Sequence, residues 1–225
     1  MGDIFLITKR DEWCLRAGRL AQMIFGGECH WIKVGRDERI PDDFSLRNPR
    51  ILISFLSPWI IPEYILDKCE LAINFHPGSA SYPGFGCYNF ALYEEADTYG
   101  AVCHVMNEKV DTGSIIEQRT FPVLSNETVE TLKYRTMIVM TAMYLDVLSS
   151  IRVGKELKPQ AGINWSRKPF TKKELNDLCV VTPDMTDEEI RKRVRATTYP
   201  GFPGASISLA GITFSSLVPD REPLA

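Results

Sequence analysis

The sequence lacks the marks of several protein classes. Its six cysteines include no C-x-x-C pair and follow no regular spacing, so neither a disulfide framework nor a zinc site is indicated, and we expect free thiols. The most apolar stretch, residues 51–62, contains two prolines and is shorter than a membrane-spanning helix requires. The N-terminus has no long apolar run followed by a cleavage site. We therefore expect a cytoplasmic protein with no membrane partner.

An excess of positive charge is also missing. Lys and Arg number 26 against 29 Asp and Glu, which gives a formal charge of −3. Without a basic surface, a nucleic-acid partner is disfavoured. The chain has 225 residues, of which 44% are apolar, and this size suits one domain with a full core and a small appendage.

Segments typical of strands alternate with segments typical of helices. The predicted strands are residues 3–8, 29–34, 51–56, 71–75, 99–106, 114–123, 205–209 and 212–217, and the predicted helices are 12–25, 62–69, 88–96, 129–153 and 187–198. This order predicts an α/β fold with a doubly wound, mostly parallel sheet that binds ligands at the carboxyl ends of its strands. We expect residues 1–154 to form the main domain and residues 155–225 an extension with a short helix and a β-hairpin.

Histidine is scarce, with three in the chain, so each can be considered separately. His76 follows Asn74 at the end of a predicted strand, just before a Pro-Gly turn. Because side chains alternate along a strand, Asn74 and His76 point to the same face. They are either part of a ligand site or a pair of satisfied polar groups in a loop. His30 and His104 lie within apolar runs and are expected to fill or edge a core.

A single Asp-Thr-Gly segment connects two predicted strands at residues 111–113. An aspartic protease needs two carboxylates that share a proton, hence a second copy of this segment, and the chain has only one. Asp111 is therefore either a functional carboxylate at the sheet edge or a turn residue present for its backbone tolerance.

Four short segments carry a resemblance to a known family. They are Asn74-Phe75-His76-Pro77-Gly78, Tyr82-Pro83-Gly84, Tyr99-Gly100-Ala101-Val102-Cys103-His104 and Val110-Asp111-Thr112-Gly113-Ser114-Ile115-Ile116. In this order and spacing they resemble the formyltransferases that use 10-formyltetrahydrofolate, and the resemblance extends over about residues 50–125. The family's catalytic asparagine, histidine and aspartate correspond here to Asn74, His76 and Asp111.

The resemblance implies a formyl transfer in which an amine attacks the formyl carbon carried on folate N10. Asn74 would donate an N–H to the developing oxyanion. His76 would act as the base that takes the proton of the amine, and Asp111 would orient its ring. The co-substrate would be 10-formyltetrahydrofolate, and no metal is required.

The same resemblance places the pterin beside the strand that precedes the asparagine. The residues in that place are Ser57, Pro58, Trp59 and Ile60, and residues 106–109, including Met106 and Lys109, would form the opposite wall. The alternative for Trp59 is that it fills the core.

The segment after the first strand distinguishes members of the family. Residues 8–13 read Thr-Lys-Arg-Asp-Glu-Trp, which departs from the glycine-rich phosphate loop of glycinamide ribonucleotide formyltransferases. Methionyl-tRNA formyltransferases continue into a C-terminal barrel for which this sequence leaves no room. The chain is most similar to the compact N-formyltransferases of nucleotide-linked 4-amino-4,6-dideoxy sugars, with a dTDP-linked sugar expected as the small-molecule partner.

Candidates for binding the nucleotide follow from the chemistry of aromatic rings and guanidinium groups. A ring can stack on a base and a cation can contact phosphates, which suggests Lys9, Arg10, Tyr82 and Phe85. Alternatively, these are an ordinary solvated pair and loop aromatics. The terminal hairpin is similar to the part by which such enzymes dimerise, so we expect a homodimer. Glycinamide ribonucleotide formylation, methionyl-tRNA formylation and non-catalytic binding of folate or a nucleotide sugar remain as alternatives.

Overall fold

The computed structural model describes residues 3–35, 37–41, 44 and 49–217. The strands, numbered in chain order, are β1 (Ile4–Lys9), β2 (Cys29–Val34), β3 (Ile51–Phe55), β4 (Leu71–His76), β5 (Thr98–Val105), β6 (Ile115–Pro122), β7 (Pro203–Leu209) and β8 (Ile212–Leu217). The α-helices are α1 (Glu12–Phe25), α2 (Glu63–Leu66), α3 (Cys87–Tyr93), α4 (Val129–Arg152), α5 (Lys172–Leu178) and α6 (Asp187–Thr197).

Six of the strands form one sheet in the order β2-β1-β3-β4-β5-β6. The pairings among β2, β1, β3 and β4 are parallel, whereas β5 runs antiparallel to both β4 and β6. The predicted α/β fold with a mostly parallel sheet is confirmed. Because β1, β3 and β4 share one direction, their carboxyl ends lie at the same edge of the sheet, where ligand sites form in such folds.

Burial and helix capping explain these central elements. Every residue of β3 is buried, as expected for a parallel strand covered on both faces. Helix α1 begins after Asp11, whose side chain accepts from the backbone N–H of Cys14, and α4 begins with a capping box at Thr128. Both helices pack on one face of the sheet, where Tyr144 lies edge-on to phenylalanines of β3 and β4.

The opposite face carries the polar residues of β4. Ile73 and Phe75 belong to the core beneath α1 and α4, so Asn74 and His76 point to the other side because strand residues alternate. The antiparallel register with β5 sets His104 opposite Asn74 and Val102 opposite His76. Paired residues of neighbouring strands share a face, and His104 therefore joins the two predicted residues.

The segment after α4 differs most from the sequence-based expectation. The sequence predicts one short helix in the extension, whereas the structure has a further helix before it: α5 begins directly after Thr171 with a capping box that includes Glu174. The predicted terminal hairpin is present as β7 and β8, with β7 beginning at Pro203. All six cysteines are free thiols. Among the described residues, no helix is long and apolar enough to cross a membrane.

Candidate active site

Asp111 is the centre of a buried polar cluster at the end of β4. Its Oδ2 lies 3.1 Å from His76 Nδ1, and its Oδ1 lies 3.3 Å from His104 Nε2. Its Oδ2 also accepts the backbone N–H of Gly84 at 2.9 Å. The Asn74 side-chain nitrogen lies 3.1 Å from His104 Nε2 and 3.5 Å from Asp111 Oδ1. Two imidazoles and one amide thus surround a single carboxylate.

The backbone at Asp111 explains how its side chain reaches the cluster. Its φ of 48° lies in the left-handed region, which aspartate tolerates better than most residues. The turn interpretation of the Asp-Thr-Gly segment is therefore correct, and the carboxylate at this turn also contacts His76 at the end of β4.

Burial and charge together set the ionisation of Asp111. His76, His104 and Asp111 are 4%, 2% and 5% exposed. Burial by itself raises the pKa of the Asp111 carboxyl, but the charge of His76 and the hydrogen bond from the backbone N–H of Gly84 act against it, and the pKa lies far below its usual range. Asp111 is therefore a carboxylate throughout the neutral range.

The second ring nitrogen of His76 also faces an acceptor. His76 Nε2 lies 2.9 Å from the backbone carbonyl oxygen of Tyr82. Since Nδ1 faces Asp111, both nitrogens are satisfied only when both carry hydrogen, which is the imidazolium form. A β-carbon at Gly78 would lie 2.5 Å from Nε2, so the chain passes this ring at a place where only glycine fits.

Trp165, from the segment after α4, forms one wall of the cluster. Its ring lies edge-on to His76 and His104, with centroid distances of 5.8 and 5.1 Å. Its indole N–H donates to the carbonyl oxygen of Gly113 at 2.8 Å, which fixes the ring in place. The indole excludes water from one side of the two imidazoles and thereby strengthens the electrostatic interactions there.

A solvent-open cavity of about 100 Å³ adjoins the cluster. Asn74, His104 and Asp111 contribute to its lining, together with five of the six residues predicted to hold the folate: Ser57, Trp59, Ile60, Met106 and Lys109. Pro58, the sixth, is exposed and is not among the lining residues. Leu56 has a φ of 54°, and this turn directs the chain after β3 along the cavity.

Trp59 contacts both the cavity and the core. Its indole N–H donates to the carbonyl oxygen of Glu38 at 2.6 Å, and its ring packs edge-on to Phe44. The side chain therefore supports the small core beside α2 and also lines the cavity.

The four residues predicted to bind the nucleotide do not line this cavity. Lys9 pairs with Asp11 at 2.9 Å and Arg10 with Glu38 at 2.7 Å. Phe85 is 58% exposed. Tyr82 lies in the core, where burial raises its pKa to about 12, and it contributes to the site through its backbone carbonyl.

Sequence reasoning missed two members of the site. His104 is buried, as expected, but its ring contacts Asn74 and Asp111 and does not only fill a core. His104 precedes Asp111 by seven residues, but only the pairing of β4 with β5 shows that it lies beside Asn74. Trp165 gave no signal, because nothing local relates the segment after α4 to this face of the sheet.

The arrangement suits reactions of a carbonyl group that develops negative charge. A side-chain amide at the wall of a cavity can donate to an oxyanion, and a buried imidazolium–carboxylate pair beside it can exchange a proton. Such a set needs no covalent intermediate on the protein.

Relatives of known function match parts of this chain. A phosphoribosylglycinamide formyltransferase from Vigna unguiculata is 30% identical over 99 residues, which are 41% of this chain and 32% of that protein. A GDP-perosamine N-formyltransferase from Brucella melitensis is 24% identical over 166 residues, covering 73% of this chain and 62% of that protein. The chain spans about a third of the length of the first curated relatives that it matches.

Solved structures match over nearly the whole fold. A sugar N-formyltransferase from Shewanella sp superposes with a TM-score of 0.79 at 15% identity, covering 98% of both chains. An N-formyltransferase from Helicobacter canadensis, in complex with folinic acid and dTDP-3-aminofucose, gives a TM-score of 0.69 at 16% identity, covering 87% of this chain and 80% of that one. The formyl transferase family model matches residues 45–148, which include Asn74, His76, His104 and Asp111, and this part of the chain is therefore similar to the formyl transferase family.

Proposed function

We propose that this protein transfers a formyl group from 10-formyltetrahydrofolate to the amino group of a nucleotide-linked 4-amino-4,6-dideoxy sugar. The observation that carries the proposal is the cluster of Asn74, His76 and Asp111 within the part of the chain that is similar to the formyl transferase family. A non-catalytic binding protein would have no need to bury an ionised carboxylate between two imidazoles, since removing a charge from water raises the free energy of the folded state.

The geometry supports distinct roles for the three residues. Asn74 donates an N–H to the formyl oxygen as the amine adds to the formyl carbon, a contact worth about 3 kcal/mol in comparable sites. When the carbonyl reforms, the bond to N10 breaks and N10 takes a proton from His76. His76 then acts as the base for the proton that the former amine must lose. Asp111 holds the ring and stabilises its cationic form.

The folate is proposed to enter the cavity beside β3 and β4. The walls of the cavity combine apolar side chains with backbone and side-chain polar groups, as a flat ring with hydrogen-bonding edges requires. Pro58 would then shape the loop without touching the ring. The folinic acid in the Helicobacter canadensis complex supports a folate donor for this chain.

A sugar acceptor is supported by the neighbours that match over most of the chain. The nucleotide is proposed to be dTDP, although the Brucella relative acts on a GDP-linked sugar, and Lys9, Arg10 and Phe85 remain its proposed contacts. The two cations can reach a diphosphate by exchanging their present carboxylate partners, because exposed ion pairs are weak. Tyr82 can serve only through its backbone while its ring stays in the core.

The extension takes part in the proposed site. We assign residues 1–154 to the catalytic domain and residues 155–225 to the C-terminal extension. Trp165 belongs to the extension, yet it lies against His76 and His104. Removal of the extension would therefore expose the histidine pair to water.

Direct assay of formyl transfer tests the proposed function. Incubation with 10-formyltetrahydrofolate and a panel of dTDP- and GDP-linked 4-amino sugars, glycinamide ribonucleotide and methionyl-tRNA is expected to add one formyl group to a dTDP-linked sugar, as read by mass spectrometry. A reaction without the folate donor and one with the His76→Asn variant are the controls. Formylation of only the ribonucleotide or the tRNA would exclude a sugar acceptor. No turnover with any acceptor would favour a binding protein.

A homodimer through the terminal hairpin is the proposed assembly. Ile207, Leu209, Ile212 and Phe214 share one face of β7 and β8, whereas Ser208 and Thr213 pair on the other. Leu209, Ile212 and Phe214 are 48%, 60% and 55% exposed. Adjoining apolar side chains at this exposure are typical of an interface.

Light scattering tests this assembly with two matched substitutions. The protein is expected to have the mass of a dimer, and Phe214→Glu is expected to give a monomer because it places a charge on the apolar face. Thr213→Glu, on the polar face of the same strand, should remain a dimer. A monomeric mass for the unmodified protein would refute the assembly.

A further inference from the structure

His104 differs from His76 in what its two ring nitrogens face. His104 Nδ1 lies 2.8 Å from the backbone carbonyl oxygen of Val105, an acceptor. His104 Nε2 lies 3.1 Å from the side-chain nitrogen of Asn74, a donor, and 3.3 Å from Asp111. His76 faces two acceptors. The Asp111 carboxylate thus lies between two different rings. His76 requires a hydrogen on both ring nitrogens, whereas His104 requires one only on Nδ1.

The charge balance of the cluster favours a neutral His104. Asp111 supplies one negative charge, and His76 as an imidazolium supplies one positive charge. A second imidazolium would leave a net charge in a site where all three groups are nearly inaccessible to water, and an unbalanced buried charge is strongly unfavourable. With the proton of His104 on Nδ1, held by the Val105 carbonyl, the cluster has no net charge.

We propose that His104 is a positioning residue for formyl transfer: a neutral imidazole, protonated on Nδ1, whose Nε2 accepts one hydrogen of the Asn74 amide and so directs the other hydrogen into the cavity. This inference rests on the proposed function in so far as that second hydrogen is the donor to the formyl oxygen. Asn74 lines the cavity, and its amide nitrogen carries two hydrogens. Asp111 Oδ1, which lies 3.5 Å from the Asn74 nitrogen, shares the hydrogen that points toward His104.

Without His104, the Asn74 amide could rotate and present its oxygen to the cavity. An acceptor there would repel the formyl oxygen in place of stabilising it. A loss of this kind lowers kcat and leaves the binding of folate almost unchanged, because the contact strengthens only as negative charge develops.

Two substitutions separate the functions of the two ring nitrogens. His104→Gln can place an acceptor near the former Nε2, whereas His104→Asn keeps a donor near Nδ1 but has no acceptor for Asn74. We expect kcat to fall about 100-fold in His104→Asn, with KM for the folate donor unchanged, and to recover by about 10-fold in His104→Gln relative to His104→Asn. His30→Gln, at an exposed histidine, controls for loss of a histidine elsewhere.

The protonation state is measured on the folded protein without any substrate. In spectra of protein labelled with 15N-histidine, His104 is expected to show a protonated Nδ1 and an unprotonated Nε2, assigned by loss of the signals in His104→Asn. A doubly protonated His104 would overturn the proposal, as would equal losses of kcat in the two variants. If the unmodified protein formylates no acceptor, the proposed function fails, and the ring spectrum still decides the state of His104.

Discussion

Replacement of His76 with Asn is expected to lower kcat about 1,000-fold, the middle of the range for loss of a general acid–base group. The Asn amide can occupy the place of Nδ1 and still donate to Asp111, so the buried carboxylate keeps a partner. The amide cannot exchange a proton as the imidazole is proposed to do. KM for folate and acceptor should change by less than about threefold, because His76 is not among the residues that line the cavity.

Steady-state kinetics with varied folate and varied acceptor measure this split between kcat and KM. His30→Asn, a substitution of the same kind at an exposed site, should leave both parameters unaltered. A His76→Asn enzyme with near-normal kcat would reject His76 as the proton-exchanging group. A large rise in KM with kcat unchanged would instead assign His76 to substrate binding.

Much of the site was predictable because local rules determine it. The period of two along β4 places Asn74 and His76 on one face, and a parallel sheet brings its strand ends to one edge. The Asp-Thr-Gly segment predicts a turn, and Asp111 adopts the left-handed backbone conformation that such a turn needs. Each of these inferences requires only a few consecutive residues.

The remaining parts of the site depend on contacts between distant segments. His104 becomes a neighbour of Asn74 only through the antiparallel register of β4 with β5, and a sequence pattern does not specify register. Trp165 is 61 positions after His104, and its place depends on the path of the chain after α4, which backbone bonds such as Ser166 N–H to Ala80 carbonyl secure. The sequence predicts that Tyr82 is a nucleotide contact or an ordinary loop aromatic because its surroundings are rich in Gly and Pro, yet its ring joins a buried aromatic cluster.

The loop between β4 and α3 is fixed at several points: the Tyr99 hydroxyl donates to the Pro77 carbonyl, Tyr82 accepts through its carbonyl from His76, and the Gly84 N–H donates to Asp111. Preorganised donors and acceptors of this kind do not have to reorient during the reaction. Asp111 connects this loop to β4 and β5, so its loss should affect both stability and rate.

Asp111→Asn is accordingly expected to have the largest effect of any single substitution in the site. Loss of the charge leaves the cation of His76 buried without a counterion, and breaking such a pair costs about 3 kcal/mol or more in the free energy of unfolding. We expect kcat to fall by about 1,000- to 10,000-fold, as for the loss of a carboxylate that orients a catalytic histidine. Asp146→Asn removes an exposed partner of Arg119 and should cost less than about 1 kcal/mol with activity retained.

The pH dependence of unfolding distinguishes loss of charge from loss of packing. Because the pKa of Asp111 is depressed in the folded protein, its ionised form contributes stability above the pKa of the unfolded chain, about 3.9, and this contribution is lost as the pH falls toward the folded value. In urea titrations, the stability difference between the unmodified protein and Asp111→Asn should shrink progressively as the pH falls below about 5. A difference that persists undiminished in acid would assign the role of Asp111 to packing and hydrogen bonding, and would refute its assignment as the counterion of His76.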